Sequence, residues 1–429
     1  MTIHILTLGC SKNLVDSEHL LAQFRASGYR VLHNAYEKDA DIVILNTCGF
    51  ILDAKEESVN TILSYIEEKQ RGNIRKLFVM GCLSERYRDE LAEEMPEVDG
   101  FYGVWEMPAI LEALGSKLDR HLLHERELTT PSHYAYLKIS EGCNRTCAFC
   151  AIPGIRGTQR SISIETLLME SNVLIDKGVK ELILIAQDLT NYGIDLYGKR
   201  ALPDLLKELV RIEGLEWIRL HYAYPTGFPE EVIDLMASEE KICNYMDIPI
   251  QHVDNKILAA MGRGHDRAKI EKLLNQFRKQ IPDVALRTTV LTGFPGETEE
   301  SFSELLEFVR EFRFERLGVF PYSHEEGTPA FDKFKDLIPD RIKSRRVAAI
   351  MELQQEISLQ LNEEKVGKIF KVLIDRREEE HFIGRTQYDS PEVDNEVLIP
   401  LDKGISIGQF YRVKITGAGE FDLFGTVSE

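Results

Sequence analysis

No uninterrupted apolar run of about 18 residues occurs in the 429-residue chain, which excludes a membrane-spanning helix. The first residues, MTIHILTLGCSKN, carry no basic stretch ahead of a long apolar core, so no secretory leader is expected and the protein is read as cytoplasmic. Positive charge is in short supply. There are 52 Lys and Arg against 71 Asp and Glu, a formal net charge of −19. Proteins that grip phosphates over their whole surface are basic, so broad nucleic-acid binding is disfavoured and a basic partner fits better. Cysteine is scarce and odd in number, seven in all. A disulfide framework belongs to small secreted chains, which leaves thiolates serving as metal ligands or nucleophiles. Hydrophobic content of 43% and charged content of 29% exclude a mostly disordered chain. The length exceeds a usual domain of about 100–150 residues, so two or three domains are expected.

What is present is alternation. Residues 1–125 read as strand and helix in turn: IHILTLGC, DIVILNTC and KLFVMGC are short aliphatic strands, each followed by an amphipathic helical stretch. That pattern predicts a parallel sheet of βαβ units. Each of the three strands ends in a cysteine, Cys10, Cys48 and Cys82. Sites in open parallel sheets form outside the carboxyl ends of strands, so three residues remote in sequence are expected to converge on one rim. After a Thr/Pro/Ser-containing linker, residues 126–364 alternate six times more, through AYLKISEGC, ELILIAQD, WIRLHYAYP, YMDIPIQH, LRTTVLTGFPGE and RLGVFPYSHEEG. This predicts a partial (β/α)6 barrel, two units short of a full one, with its chemistry at the strand C-terminal ends. Residues 365–429 hold five short strands separated by turn residues, the pattern of a small β-barrel. From 366 onward that segment carries eight basic and twelve acidic residues, which does not suit a reader of RNA.

The sharpest motif is ISEGCNRTCAFCAIPGIRG, with Cys143, Cys147 and Cys150 in a C-x3-C-x2-C spacing just past a strand. Three thiolates on so short a loop can wrap one compact iron–sulfur cube. A cube normally takes four, so one iron is left open for a small molecule. Structural zinc requires four closed ligands, and no further His or Cys nearby supplies a fourth.

This spacing resembles that of the radical S-adenosylmethionine (SAM) enzymes. Together with TLGCSKNLVDSE, NTCGFILDAKEES, IAQDLTNYG, DIPIQH and GFPGETEESF, it makes the whole chain resemble the radical SAM methylthiotransferases. Among these it is most similar to the RimO type, which methylthiolates an aspartate of ribosomal protein uS12. NTCGF and AQDLTNYG separate it from the tRNA-modifying type, whose corresponding motifs read NTC followed by serine and basic residues, and GQNVNSYG. The resemblance implies an N-terminal methylthiotransferase α/β domain, a radical-SAM barrel and a C-terminal TRAM barrel. It implies that Cys143, Cys147 and Cys150 hold one [4Fe–4S] cluster, whose open iron chelates SAM and whose electron releases methionine and a 5′-deoxyadenosyl radical. It further implies a second [4Fe–4S] cluster on Cys10, Cys48 and Cys82 that carries the added sulfur. The two sites must then meet, with the N-terminal domain docked over the barrel mouth. The implied partners are uS12, free or on the small ribosomal subunit, an electron donor and a sulfur source.

Other residues follow from position. Phe149 lies inside the cysteine loop, where the superfamily often places an aromatic near the adenine; packing of the loop is its plainer role. Gln187 and Asp188 end the second barrel strand, where Gln187 is expected at the SAM amino group and Asp188 could instead cap the next turn. Gly293 and Gly296 allow close backbone approach by a ligand, within a turn where Thr298 is a natural helix cap. His221, Tyr222, Tyr224, Gln251 and His252 are expected along the barrel mouth, the histidines more as hydrogen-bonded structural residues than as bases. Arg156 is expected near a carboxylate of SAM or substrate, or else in a surface ion pair. Cys243 reads as a core thiol, and Lys343, Ser344, Arg345 and Arg346 as a solvated helix face, a secondary contact with ribosomal RNA being the alternative. A tRNA adenosine methylthiotransferase, an iron–sulfur carrier and an RNA-binding adaptor are the competing functions; a carrier gains by shielding its clusters fully, which two open three-cysteine sites do not do.

Overall fold

Three sheet systems follow one another along the chain in the computed structural model, which describes residues 1–35 and 40–428. The first comprises β1 (Thr2–Thr7), β2 (Arg30–His33), β3 (Ile42–Thr47), β4 (Lys76–Gly81) and β5 (Gly100–Tyr102), all parallel in the order β2-β1-β3-β4-β5. β3 is buried throughout because both its faces are covered. Ile42 and Ile44 pack on Leu20, Leu21 and Phe24 of helix α1 (Ser11–Ala26), and Val43 and Leu45 pack on Ile62 and Ile66 of helix α2 (Leu52–Gln70). The three predicted strands are β1, β3 and β4. The sequence reading missed β2 and β5, edge strands of four and three residues that are too short to show a period.

The second sheet contains β6 (Tyr134–Lys138), β9 (Glu181–Ile185), β10 (Trp217–Leu220), β11 (Ile242–Asp247), β12 (Ala285–Thr292) and β13 (Arg316–Pro321). Their order is β13-β12-β11-β10-β9-β6 and every pairing is parallel, the six-unit partial barrel expected. A two-residue ladder of β7 (Ser140–Glu141) with β8 (Arg160–Ser161) ties off the base of the cysteine loop. Alternate side chains serve the two faces. Ala135, Leu137, Leu182, Leu184, Ile218 and Leu286 meet the outer helices, whereas Tyr134, Tyr136, Ile183 and Ile185 face inward onto Leu14 and Val15 of α1. The start of α1 thus enters the barrel, which docks the N-terminal sheet over its mouth.

The third system is a closed barrel of β14 (Ile369–Arg377), β15 (His381–Thr386), β16 (Glu396–Pro400), β17 (Phe410–Ala418) and β18 (Asp422–Val427). It is fastened to the second sheet by buried charges. Glu181 accepts from Arg219 at 2.7 Å and from Arg385 at 2.8 Å, and Arg385 also pairs with Asp375. The segment 387–395 that joins β15 to β16 adds Arg316 with Asp389, Arg287 with Asp394, and the Gln387 carbonyl with Arg219 at 2.7 Å. Trp217 meets Phe410 edge-on at 4.8 Å between ring centroids.

One expectation is corrected here. Lys343 and Arg346, on the helix Asp340–Glu363, are buried, Lys343 against Asp336 and the Tyr322 carbonyl and Arg346 against Glu297 and Glu299. Of the cluster's cations only Arg345 stays on an open face, paired with Glu299, so this stretch anchors the helix to the barrel and is not a solvated basic patch. Among the described residues, no helix is long and apolar enough to cross a membrane.

Candidate functional site

The N-terminal cysteines come together because two glycines let the backbone close up. A β-carbon at Gly9 would lie 2.8 Å from Cys48 Cβ and 3.2 Å from its Sγ. At Gly49 it would lie 2.6 Å from Leu83 Cα and 2.9 Å from the Cys82 carbonyl carbon. The residue before Cys10 therefore rests on Cys48, and the residue after Cys48 rests on Cys82. Burial pushes the Cys82 thiol up to about 12, with Cys10 and Cys48 adding and Arg156 opposing; burial also raises Cys48, with the Phe50 backbone N–H and Arg156 opposing and Cys10 adding. Bound iron reverses such a preference, because a coordinated thiol is deprotonated outright.

Burial raises Cys143 to about 11 and Cys150 to about 12 in the same way. Two donors point at sulfur in this loop. The Arg145 backbone N–H lies 3.4 Å from Cys143 Sγ, and Arg263 Nη1 lies 3.3 Å from Cys147 Sγ. Tyr224 is sandwiched between Arg145 and Arg263, whose guanidinium carbons stand 4.0 and 4.2 Å from its ring centroid. Arg145 is in turn held by Asp188, Thr190, Asn191 and the Thr226 carbonyl.

The two trios are neighbours. Cys82 packs with Ala151 and Ile155, and Ala151 adjoins Cys150. Arg156 crosses the same junction. Its Nη2 donates to Asn13 Oδ1, itself 3.9 Å from Cys82 Sγ, while Nη1 meets Glu141 at 2.8 Å and Asp16 at 3.4 Å. Burial works against its charge, and Cys82, Asp16 and Glu141 outweigh it, so Arg156 holds its proton more firmly than usual. The surface ion pair considered for Arg156 is not what forms.

Among the described residues, no three His, Cys, Asp or Glu side chains converge on one point as the ligands of a single ion do. Thiolates on a cube bind different irons and face one another across it, so two sets of soft sulfur donors fit a cluster better than a lone cation. Gln187 adds a second sign of fit. Its Nε2 donates to Glu141 at 2.5 Å, while its Oε1 is buried without a partner, an acceptor left for a donor such as an ammonium.

Other expected residues are placed as follows. Phe149 packs against the cluster that holds Ala148, Ile257, Met261 and Phe294. Asp188 caps its turn, accepting from Thr190 N at 2.8 Å, and Thr298 caps the next helix in a box with Ser301. The space for a β-carbon at Gly293 is filled by Lys343, 2.4 Å away at Cγ, so its bareness serves that helix; Gly296, at φ +93°, has only Ile257 within reach, at 3.9 Å. His221 lies 2.9 Å from Ser390 Oγ and His252 accepts from the Val253 and Asp254 N–H groups, both structural. Gln251 is built into the sheet through Thr289 and Leu291. Cys243 is a core thiol. The sequence reading missed Lys12, Asn13, Arg145 and Arg263. Each lies within three residues of a predicted cysteine or on a Gly-Arg-Gly turn, but a lone charge carries no periodic signal.

Family models match residues 2–103 (uncharacterized protein family UPF0004), 137–309 (radical SAM superfamily) and 366–427 (TRAM domain). A relative from Flavobacterium psychrophilum named "Ribosomal protein uS12 methylthiotransferase RimO" is 56% identical over 99% of this chain and 97% of its own length. The chain belongs to the RimO family of radical SAM methylthiotransferases. A second RimO, from Christiangramia forsetii, is 54% identical over 99% of this chain and 93% of its own. RimO membership brings with it SAM and a [4Fe–4S] cluster. Among solved structures, the radical SAM methyltransferase TsrM from Kitasatospora setae matches with a TM-score of 0.57 at 14% identity, over 86% of this chain and 80% of that one, a likeness of fold alone.

Proposed function

We propose that this chain adds a methylthio group to the β-carbon of an aspartate in ribosomal protein uS12, with Cys143, Cys147 and Cys150 holding the SAM-binding cluster and Cys10, Cys48 and Cys82 a second one. The observation that carries this reading is the junction of the trios through Cys82, Ala151 and Arg156, since sulfur delivery to a substrate radical requires adjacent sites. When bound, the two clusters supply the electron that cleaves SAM and the site from which sulfur is handed over. The protein's own residues position and shield. Gln187 offers its free carbonyl to the SAM amino group. Arg263 and the Arg145 N–H lend positive potential to the sulfurs of Cys147 and Cys143. Leu14, Val15, Tyr134 and Tyr136 line the barrel interior and keep water from a reactive carbon. The uS12 named in the relatives suits the charge of this chain: a ribosomal protein is basic, and this one carries −19.

Mass spectrometry of uS12 and of bulk tRNA from cells lacking the protein tests the reading. Loss of the methylthio group from uS12 alone supports it; loss from tRNA alone transfers the activity to the RNA-modifying type. Anaerobically reconstituted protein that binds iron yet makes no 5′-deoxyadenosine from SAM is a carrier and not this enzyme.

A further inference from the structure

Lys12 stands two residues beyond Cys10 in the first turn of α1, at the point where that helix enters the barrel. It is only 7% exposed, and its Nζ lies 3.3 Å from the centroid of the Tyr222 ring. The other cations of the mouth are matched by anions or by sulfur. Arg156 and Lys138 share Asp16 and Glu141, Arg145 has Asp188, and Arg263 has Cys147. Lys12 has no hydrogen-bond acceptor and no carboxylate among the described residues; the face of Tyr222 is its one polarising contact. An aromatic face takes up none of the ammonium's three N–H donors, so the site has room for an anion. Two more features point the same way. Helix α1 begins without a side-chain cap and without an acid in its first turn, which leaves the positive end of its dipole beside the ammonium. Tyr222 itself sits at φ +65°, a left-handed conformation rarely held by a tyrosine, and that strained turn presents its ring to Lys12.

We infer that Lys12 selects the substrate: its ammonium, backed by Tyr222, receives the carboxylate of the aspartate to be modified. This rests on the function proposed above and adds the residue that reads the side chain. The chemistry of aspartate explains the placement. Its β-carbon is bonded directly to the carboxylate carbon, so gripping the acid fixes the reacting carbon one bond away, between the two cysteine trios. An asparagine of the same shape brings no charge to the site and leaves the ammonium unpaired.

The test uses reconstituted enzyme with SAM under anaerobic conditions and two fluorescent peptides of the uS12 sequence around the target, one with the native aspartate and one with asparagine in its place. Binding is read by anisotropy, and iron content and methylthiolated product are measured on the same samples. The wild-type enzyme is expected to prefer the aspartate peptide by about 10- to 100-fold, the worth of a hydrogen bond to a charged partner. Lys12→Met is expected to erase that preference while binding the asparagine peptide as the wild type does, and Lys12→Arg to keep part of it. A Lys12→Met enzyme that retains the preference overturns the inference. So does a protein that loses both peptides together with its iron in the Met and Arg variants alike, which assigns the ammonium to charge balance at the cysteines. Wild-type enzyme that forms product without preferring aspartate refutes the role of Lys12 alone; wild-type enzyme that forms no product on uS12 refutes the functional reading, and this inference with it.

Discussion

Cys143, Cys147 and Cys150 are gathered by eight residues of loop, whereas Cys10, Cys48 and Cys82 are gathered by the rim of a sheet. The loop trio owes its shape to local chain and borrows support from the barrel, through Arg145 and Arg263. The rim trio owes its shape to strand register, and its tolerances are set by backbone contacts at Gly9 and Gly49. A loop can flex and re-form around a cofactor. A rim moves only if the strands do, so the dispersed trio is the more demanding of exact sequence at residues other than the cysteines themselves.

The largest expected effect separates the trios by role. Cys143→Ala is expected to abolish 5′-deoxyadenosine formation, while Cys48→Ala still accumulates it and yields no methylthiolated uS12; chromatography and mass spectrometry of one reaction mixture read both. Methylthiolated product from Cys48→Ala ends the division of labour. Next comes the junction. Arg156→Met leaves Asp16 and Glu141 with Lys138 as their sole cation among the described residues, and is expected to cost about 3–5 kcal/mol in denaturant unfolding. The contrast between rim and loop is sharpened by alanine at two glycines. At Gly49 the new β-carbon collides with backbone at 2.6–2.9 Å and is expected to cost about 1–3 kcal/mol and to lower iron content, whereas Gly154, with nothing within 4 Å, should change stability by less than about 0.5 kcal/mol. Equal effects at the two positions contradict the comparison.

The smallest effect is a pH dependence. Burial raises the Glu297 carboxyl to about 7 against the pull of Arg346 and the Gly293 and Phe294 N–H groups. A raised acid contributes stability that is fully present below its unfolded value, near 4.5, and is lost as pH rises through about 7. Thermal unfolding of wild type should therefore weaken from pH 5 to pH 8 relative to Glu297→Gln, in which that slope is removed.

Most of the architecture was legible because its signals are periodic. Six aliphatic runs spaced by amphipathic helices specify the partial barrel, and three strands that each end in cysteine specify the rim before any contact is seen. What escaped depends on distances between remote residues. Arg156 reads as a lone cation in PGIRG until Asn13, Asp16 and Glu141 are found beside it. The basic run at 343–346 looks solvent-facing because its partners, Asp336, Glu297 and Glu299, lie on other elements. Gly293 reads as a ligand approach within a strand-to-helix turn, and only the position of Lys343 shows what occupies the space beside it.

The buried charges around Glu181, Arg219 and Arg385 have a consequence for how a bulky target is presented. With its linking segment locked into the far end of the central sheet, the C-terminal barrel cannot swing like a tethered hand. Anything seated on that barrel would be held at a set distance and angle from the mouth, as work is held in a jig.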